Sequence, residues 1–342
     1  MSQEEETNTH VQEHLSWDRL FSFITSFLLV IIVYTLIYLA IPKPGMANPL
    51  LHTTWRGALA LIEICIILVI QVCLDLFLDE RSQEFKSSIH DRAVAFGLVR
   101  DKTCNWKGKT IDTFLILLCF LVPLDFLTYM IPGILEYMVG TSVGAFFQGI
   151  SLVEMLTVGL TYNLITGIKE EFVFRGYIQT SLVEQGTAGS GWIITAIFFG
   201  MLHIDFSAGN TFIAGPFLWV ITATFVGFVL GAYYLQVKRL LPLVLAHGMG
   251  NFISSMSIWL FAKTGGFHGV GMGMGAALSL MYLPLITTGV LLAIIFRKKI
   301  KQGARQVREI LKNIKSTLNT TDVVIIVVMI IVLWIAGIFF AL

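Results

Sequence analysis

Charge is scarce in this chain: Asp, Glu, Lys and Arg together make up 13% of 342 residues, against 56% hydrophobic residues and a mean hydropathy of +0.80. So thin a polar complement cannot cover the surface of a water-soluble domain, and the class it leaves is a polytopic membrane protein. Neither sign dominates. A net charge of +1 excludes the concentrated basic face of a general nucleic-acid binder. Cysteine is equally sparse. Cys65, Cys73, Cys104 and Cys119 lie in or near apolar runs without C-x-x-C spacing, which gives neither a disulfide framework nor a zinc knuckle. The first nineteen residues, MSQEEETNTHVQEHLSWDR, lack the basic start and small-residue cleavage site of a secretory signal, so the first apolar run reads as an anchor that stays. There is no H-E-x-x-H helix. The glycine-rich GGFHGVGMGMGAA at 265–277 has no strand before it and no G-K-[ST] after it, so it reads as a flexible connection rather than a nucleotide loop.

What the chain does have is apolar runs of spanning length. About 20 mostly apolar residues cross a bilayer, and candidates lie near 20–41, 57–78, 111–131, 146–168, 190–204, 212–237, 242–262, 275–296 and 322–342. The predicted fold is all-α, a polytopic transmembrane helix bundle of about eight or nine spans. Three regions are expected: 1–144 with a polar tail, three spans and a basic loop; 145–262 as the functional membrane core; and 263–342 with the last spans and a basic juxtamembrane segment. The connection from 80 to 110 carries Arg81, Lys86, Arg92, Arg100, Lys102, Lys107 and Lys109, and the segment after 296 opens RKKIKQGARQVREILKNIK. The positive-inside rule puts both in the cytoplasm, with the amino terminus inside and the carboxyl terminus outside. The basic stretch 297–315 reads either as an amphipathic helix on anionic lipid or as a solvated stop-transfer flank. Compact loops and the lack of organelle signals point to a bacterial plasma membrane. No feature sets an oligomeric state.

An ionisable group within a membrane segment is costly and is a functional hypothesis by default. Glu63 and Asp75 stand alone in the second segment, and for them a boundary charge or a packing ion pair is the simpler reading. The stretch GIKEEFVFRGY at 167–177 is different. On a helix Glu171 and Arg175 sit i, i+4 and share a face, which leaves Glu170 pointing elsewhere. Arg175 is expected to neutralise and orient Glu171, freeing Glu170 for general base and acid work. TAIFFGMLHIDF places His203 at the end of the fifth segment, and VLAHGMGNFI places His247 and Asn251 at i, i+4 on the seventh. Two donors aimed at one point suit a tetrahedral oxyanion. Simple crossing parity sets His203 about 20 Å deeper than Glu170. Convergence is expected only if the fourth helix runs long and tilted, to Gln185, with a break at Gly167.

EEFVFR (170–175), FGMLH (199–203) and HGMGN (247–251) resemble the motifs E-E-x-x-x-R, F-x-x-x-H and H-x-x-x-N of the CAAX protease and bacteriocin-processing (CPBP, or Abi) family, in order and over roughly 145–262. The resemblance implies an intramembrane endopeptidase acting on a membrane-associated peptide or protein, possible substrates being lipidated CAAX-type or bacteriocin- or pheromone-type chains. It implies that Glu170 with His203 activates a water, His247 with Asn251 holds the oxyanion, and Glu171 with Arg175 organises the site. No cofactor is expected. The alternative is zinc on Glu170, His203 and His247, disfavoured because Asn251 is a poor zinc ligand and a good oxyanion donor. The competing function is a non-catalytic membrane partner in bacteriocin immunity or signalling. A secondary transporter would need paired halves with matching discontinuities, which the sequence lacks.

Overall fold

The computed structural model describes residues 48–78, 90, 92–98, 106–185, 188–205, 214–265 and 273–317, with scattered positions in 25–40 and 323–331. Helices make up the fold, and no strand occurs among the described residues. The first helix, α1, is Pro49–Leu78. The second, α2, spans 106–129, winding as α over Trp106–Ile116, as π over Leu117–Leu121, and as α again over Val122–Tyr129. Pro123 explains the wide turn: proline lacks an N–H and its ring clashes with the carbonyl four residues back, here inside the π segment. Two short helices, α3 (Ile134–Gly140) and α4 (Ser142–Gln148), make the next turn. Gly133 starts α3 at φ 88°, a left-handed conformation that glycine adopts without strain.

The long helix α5 covers 152–185. Ser151 and Glu154 form a reciprocal capping box at its start. Leu160–Glu171 is regular α, while Met155–Gly159 and Phe172–Gln179 are π, and Thr180–Gln185 closes it. A widened turn strands carbonyls, and side chains collect them: Asn163 Nδ2 donates to Gly159 O at 2.8 Å, and Thr180 Oγ1 to Arg175 O at 3.0 Å. Helix α6 is Ala188–Met201, α7 Gly215–Val237, α8 Leu241–Lys263, α9 Met274–Ile295 and α10 Arg297–Thr317. Pro216 and Pro242 sit in the first turns of α7 and α8, where a missing N–H costs nothing.

Five of these segments are long and apolar enough to cross a membrane: Pro49–Cys73, Gly108–Tyr129, Gly215–Val237, Leu241–Lys263 and Gly275–Ile295. Large aliphatic side chains such as Leu61, Val69, Leu280, Leu283 and Ile294 point outward, as hydrocarbon solvent allows. This is an integral membrane protein. The expected spans at 20–41 and 322–342 lie outside the described residues apart from scattered positions. The expected span 146–168 is redrawn: α4 ends at Gln148, and a new helix starts at the Ser151 cap and runs on to Gln185. The anticipated break at Gly167 is absent, since that residue lies within the regular stretch Leu160–Glu171. The basic stretch after 296 is helical, with Ile300, Gly303, Val307 and Ile310 half-buried on one side and Arg305 and Arg308 exposed.

Small residues set the closest crossings, as in membrane bundles where backbone approach replaces hydrophobic driving force. A Cβ on Gly200 would lie 1.9 Å from Thr224 Oγ1, and one on Gly227 2.9 Å from Ala196 O, so α6 and α7 pack nearly backbone to backbone. The crossing of α5 and α8 is equally tight at Gly167 and Gly248. Helix α1 is tied to α5 by two polar rungs: Arg56 donates to the Tyr162 hydroxyl, and Lys169 Nζ lies 3.1 Å from Glu63 Oε2. Both pairs are 106 residues apart in sequence, so the two helices run parallel, as crossing parity requires of the second and fourth spans. Glu63 is thus a packing partner of the residue next to Glu170. The Asp75 side chain lies outside the described residues.

Candidate active site

The convergence of the three motifs follows from helix length. Glu170 is 15 residues before the end of α5 at Gln185, and His203 is 15 residues after the start of α6 at Ala188. The hairpin therefore brings the two back to the same level, about 22 Å from its turn at 1.5 Å per residue. His203 Nε2 is 3.9 Å from Glu170 Oε2, and His247 Nε2, arriving from α8, is 3.6 Å from the same oxygen. Both separations are longer than a direct hydrogen bond. Glu170 Oε2 itself is buried and has no hydrogen-bond partner.

Glu171 points the other way. Its Oε1 accepts from Arg175 Nη1 at 3.0 Å and from His247 Nδ1 at 2.6 Å. The Glu171 and Arg175 side chains are 0% exposed. Arg175 is held further by Gly227 O at 3.4 Å and by the face of Phe199, 4.5 Å from its ring centroid. Phe199 is also in contact with His203 and, edge to face, with His247. One aromatic ring thus braces three polar side chains from three helices.

Those contacts make Nδ1 of both histidines a donor. A backbone carbonyl only accepts, so His203 Nδ1, 2.7 Å from Phe199 O, is the donor, and its Nε2 is turned toward Glu170. The Glu171 carboxylate can only accept, so it receives a hydrogen bond from Nδ1–H of His247, whose Nε2 faces the site. Asn251, one turn beyond His247, lines the same cavity. That cavity is walled by Leu121, Val122 and Asp125 of α2, Trp219 and Val226 of α7, and the two histidines.

Of the six residues singled out in the sequence, Glu170 meets His203 and His247, Glu171 joins Arg175 to His247, and Asn251 lines the cavity with the two histidines. The grip of Glu171 on His247 was not legible, because 76 residues separate them. Phe199 was visible as a motif letter without a task. Asp125 and Ser254, which also line the cavity, gave only the signal of polar residues inside apolar segments. A zinc site needs at least three ligands at about 2.0–2.2 Å. No group of three His, Cys, Asp or Glu side chains among the described residues is disposed to hold a metal ion, Glu170, His203 and His247 included.

Residues 152–253 match the family model described as type II CAAX prenyl endopeptidase Rce1-like. The matched stretch holds all three motifs and is consistent with the CAAX protease family that they resemble. Helices α1, α2, α9 and α10 lie outside it. No curated protein and no solved structure matches the chain.

Proposed function

We propose, with the Rce1-like match over 152–253 as premise, that this protein is an intramembrane endopeptidase that hydrolyses a peptide bond of a membrane-associated substrate with a glutamate-activated water. The observation that carries this reading is the pair of imidazole nitrogens, at 3.6 and 3.9 Å, facing one carboxylate oxygen that has no hydrogen-bond partner. A water between them donates one hydrogen to Glu170 and the other to the lone pair of His203, which turns its own lone pair toward the substrate carbonyl. Glu170 takes the proton as the oxygen attacks. The oxyanion receives hydrogen bonds from Asn251 Nδ2 and from Nε2–H of His247, whose positive charge Glu171 balances. The protonated Glu170 then delivers its proton to the leaving nitrogen, the C–N bond breaks, and the new carboxylic acid ionises in water. Polar groups among membrane-length apolar helices are tolerable only beside a protein-enclosed, wet cavity, and His203, His247 and Asn251 line such a cavity.

The test is cleavage of a membrane-embedded peptide library by purified protein in lipid, with and without a zinc chelator. Cleavage that survives chelation supports the glutamate mechanism. Loss on chelation and return with zinc would replace it by the metal mechanism. If nothing is cleaved while Glu170→Gln still complements a cellular phenotype, the motifs are scaffolding and the protein is a membrane partner.

The crossing at Gly167 offers a second check. A Cβ there would lie 2.9 Å from Gly248 N and 3.0 Å from Val244 O, both backbone atoms that cannot swing aside. Gly167→Ala is expected to push α8 away from α5 and stretch the 2.6 Å contact of His247 with Glu171. Misplacement of that order costs roughly 10- to 100-fold in rate. Initial rates and far-ultraviolet circular dichroism, measured together, should show the loss with helicity retained. A fully active variant would mean the crossing does not set the site.

A further inference from the structure

A carboxylate outside the three motifs opens on the cavity. Asp125 of α2 lines it together with Ser254 of α8, on a wall that also holds His247 and Asn251. One chain of hydroxyls ends on Asp125 and a second pair stands beside it. Tyr282 of α9 donates to its Oδ2, with Ser257 Oγ 2.8 Å behind Tyr282. Ser254 lines the cavity beside it, with its hydroxyl paired to that of Tyr129. A carboxylate accepts at about four lone-pair positions, so the Tyr282 donor leaves room for more. Among the described residues no Lys, Arg or His pairs with Asp125, and the cavity lining holds no Lys or Arg. A polar chain of this kind can simply brace helices. A brace has no need of a carboxylate at its focus, on a cavity wall, with no cation to balance it.

We propose that Asp125 is a specificity-determining residue that receives a basic side chain, lysine or arginine, of the substrate. This rests on the endopeptidase reading above. The distance along the substrate follows from α8: Ser254 lies seven residues beyond His247, about 10.5 Å along the helix axis. An extended peptide covers that in about three residues at roughly 3.3 Å each. The substrate class is therefore a membrane-inserted peptide with a cation about three residues from the cut bond, and an acidic group at that position is rejected. Asp125 and Tyr282 both lie outside the segment that matches the family model, so the selectivity belongs to the flanking helices of this chain.

The test uses the full chain in lipid bilayers and a leucine-rich peptide of about 20 residues carrying one lysine moved a position at a time, with matching glutamate and uncharged sets. The cut is expected to travel with the lysine, about three residues away, and lysine peptides are expected to bind about tenfold or more tightly than uncharged ones. Asp125→Asn keeps the shape and can still accept from the Tyr282 hydroxyl through its amide oxygen. It is expected to abolish the tracking and the binding difference. Tyr282→Phe loosens the hydroxyl chain while leaving the carboxylate, and should retain the tracking. Equal loss in both variants would make the chain a brace and overturn the proposal, as would cuts at a fixed depth regardless of lysine. Absence of cleavage with lysine binding that depends on Asp125 would sink the endopeptidase reading and leave this inference standing. Absence of both sinks both.

Discussion

Glu170→Gln is expected to leave a folded, inactive protein, with the catalytic rate down by roughly 10²- to 10⁴-fold, the range that a positioned general base contributes. Glutamine has the size of glutamate and can hold a water, but it cannot take the proton. Stability should not fall, because Glu170 Oε2 has no hydrogen-bond partner to lose and its side chain is 21% exposed. The neighbouring substitution Glu171→Gln is the control. It also changes one carboxylate to an amide, but at a side chain that is 0% exposed and that holds both Arg175 and His247. It is expected to lose activity and stability together. Initial rates at saturating substrate, read beside thermal unfolding in lipid, separate the two positions. Activity above about a tenth of wild type in Glu170→Gln would sit far below the range for a general base and remove that residue from the chemistry.

The contrast between these adjacent glutamates marks where sequence reasoning reached and where it stopped. The i, i+4 relations of Glu171 with Arg175 and of His247 with Asn251 were legible because helix geometry is local and charge is rare in this chain. The all-helical class was legible for the same reason, since hydropathy reports the solvent directly. The course of α5 was only half legible. Its segment carries Lys169, Glu170, Glu171 and Arg175, which break the apolar run, and its π-helical stretches leave no mark on periodicity. Gly167 looked like a break and is instead a contact, because the absence of a side chain serves the neighbouring backbone rather than its own turn. Pairings across the bundle, such as Glu63 with Lys169 or Asp125 with Tyr282, depend on the register of helices far apart in sequence. No local rule reaches them.

Arg175→Leu should be the most destabilising single change near the site. The guanidinium is 0% exposed and faces Glu171, Gly227 O and the Phe199 ring. Leucine fills part of the space but strands a carboxylate that is also 0% exposed, with Glu170 next in sequence and His247 its one remaining partner. Breaking a buried ion pair from one side costs about 3–5 kcal/mol, because the surviving charge stays desolvated and uncompensated. Lysine is a poor rescue, since a point charge on a flexible stem cannot fork between Glu171 and Gly227 O or lie flat on Phe199. Removing the stranded charge is the informative rescue. The double variant Arg175→Leu with Glu171→Gln is expected to recover a good part of the stability while remaining inactive, because His247 then lacks the carboxylate that balances its charge at the oxyanion. Unfolding measured in lipid across wild type, the two single variants and the double gives the coupling directly. Independent, additive losses would mean that Arg175 serves the fold through its packing on Phe199 and not through the charge of Glu171.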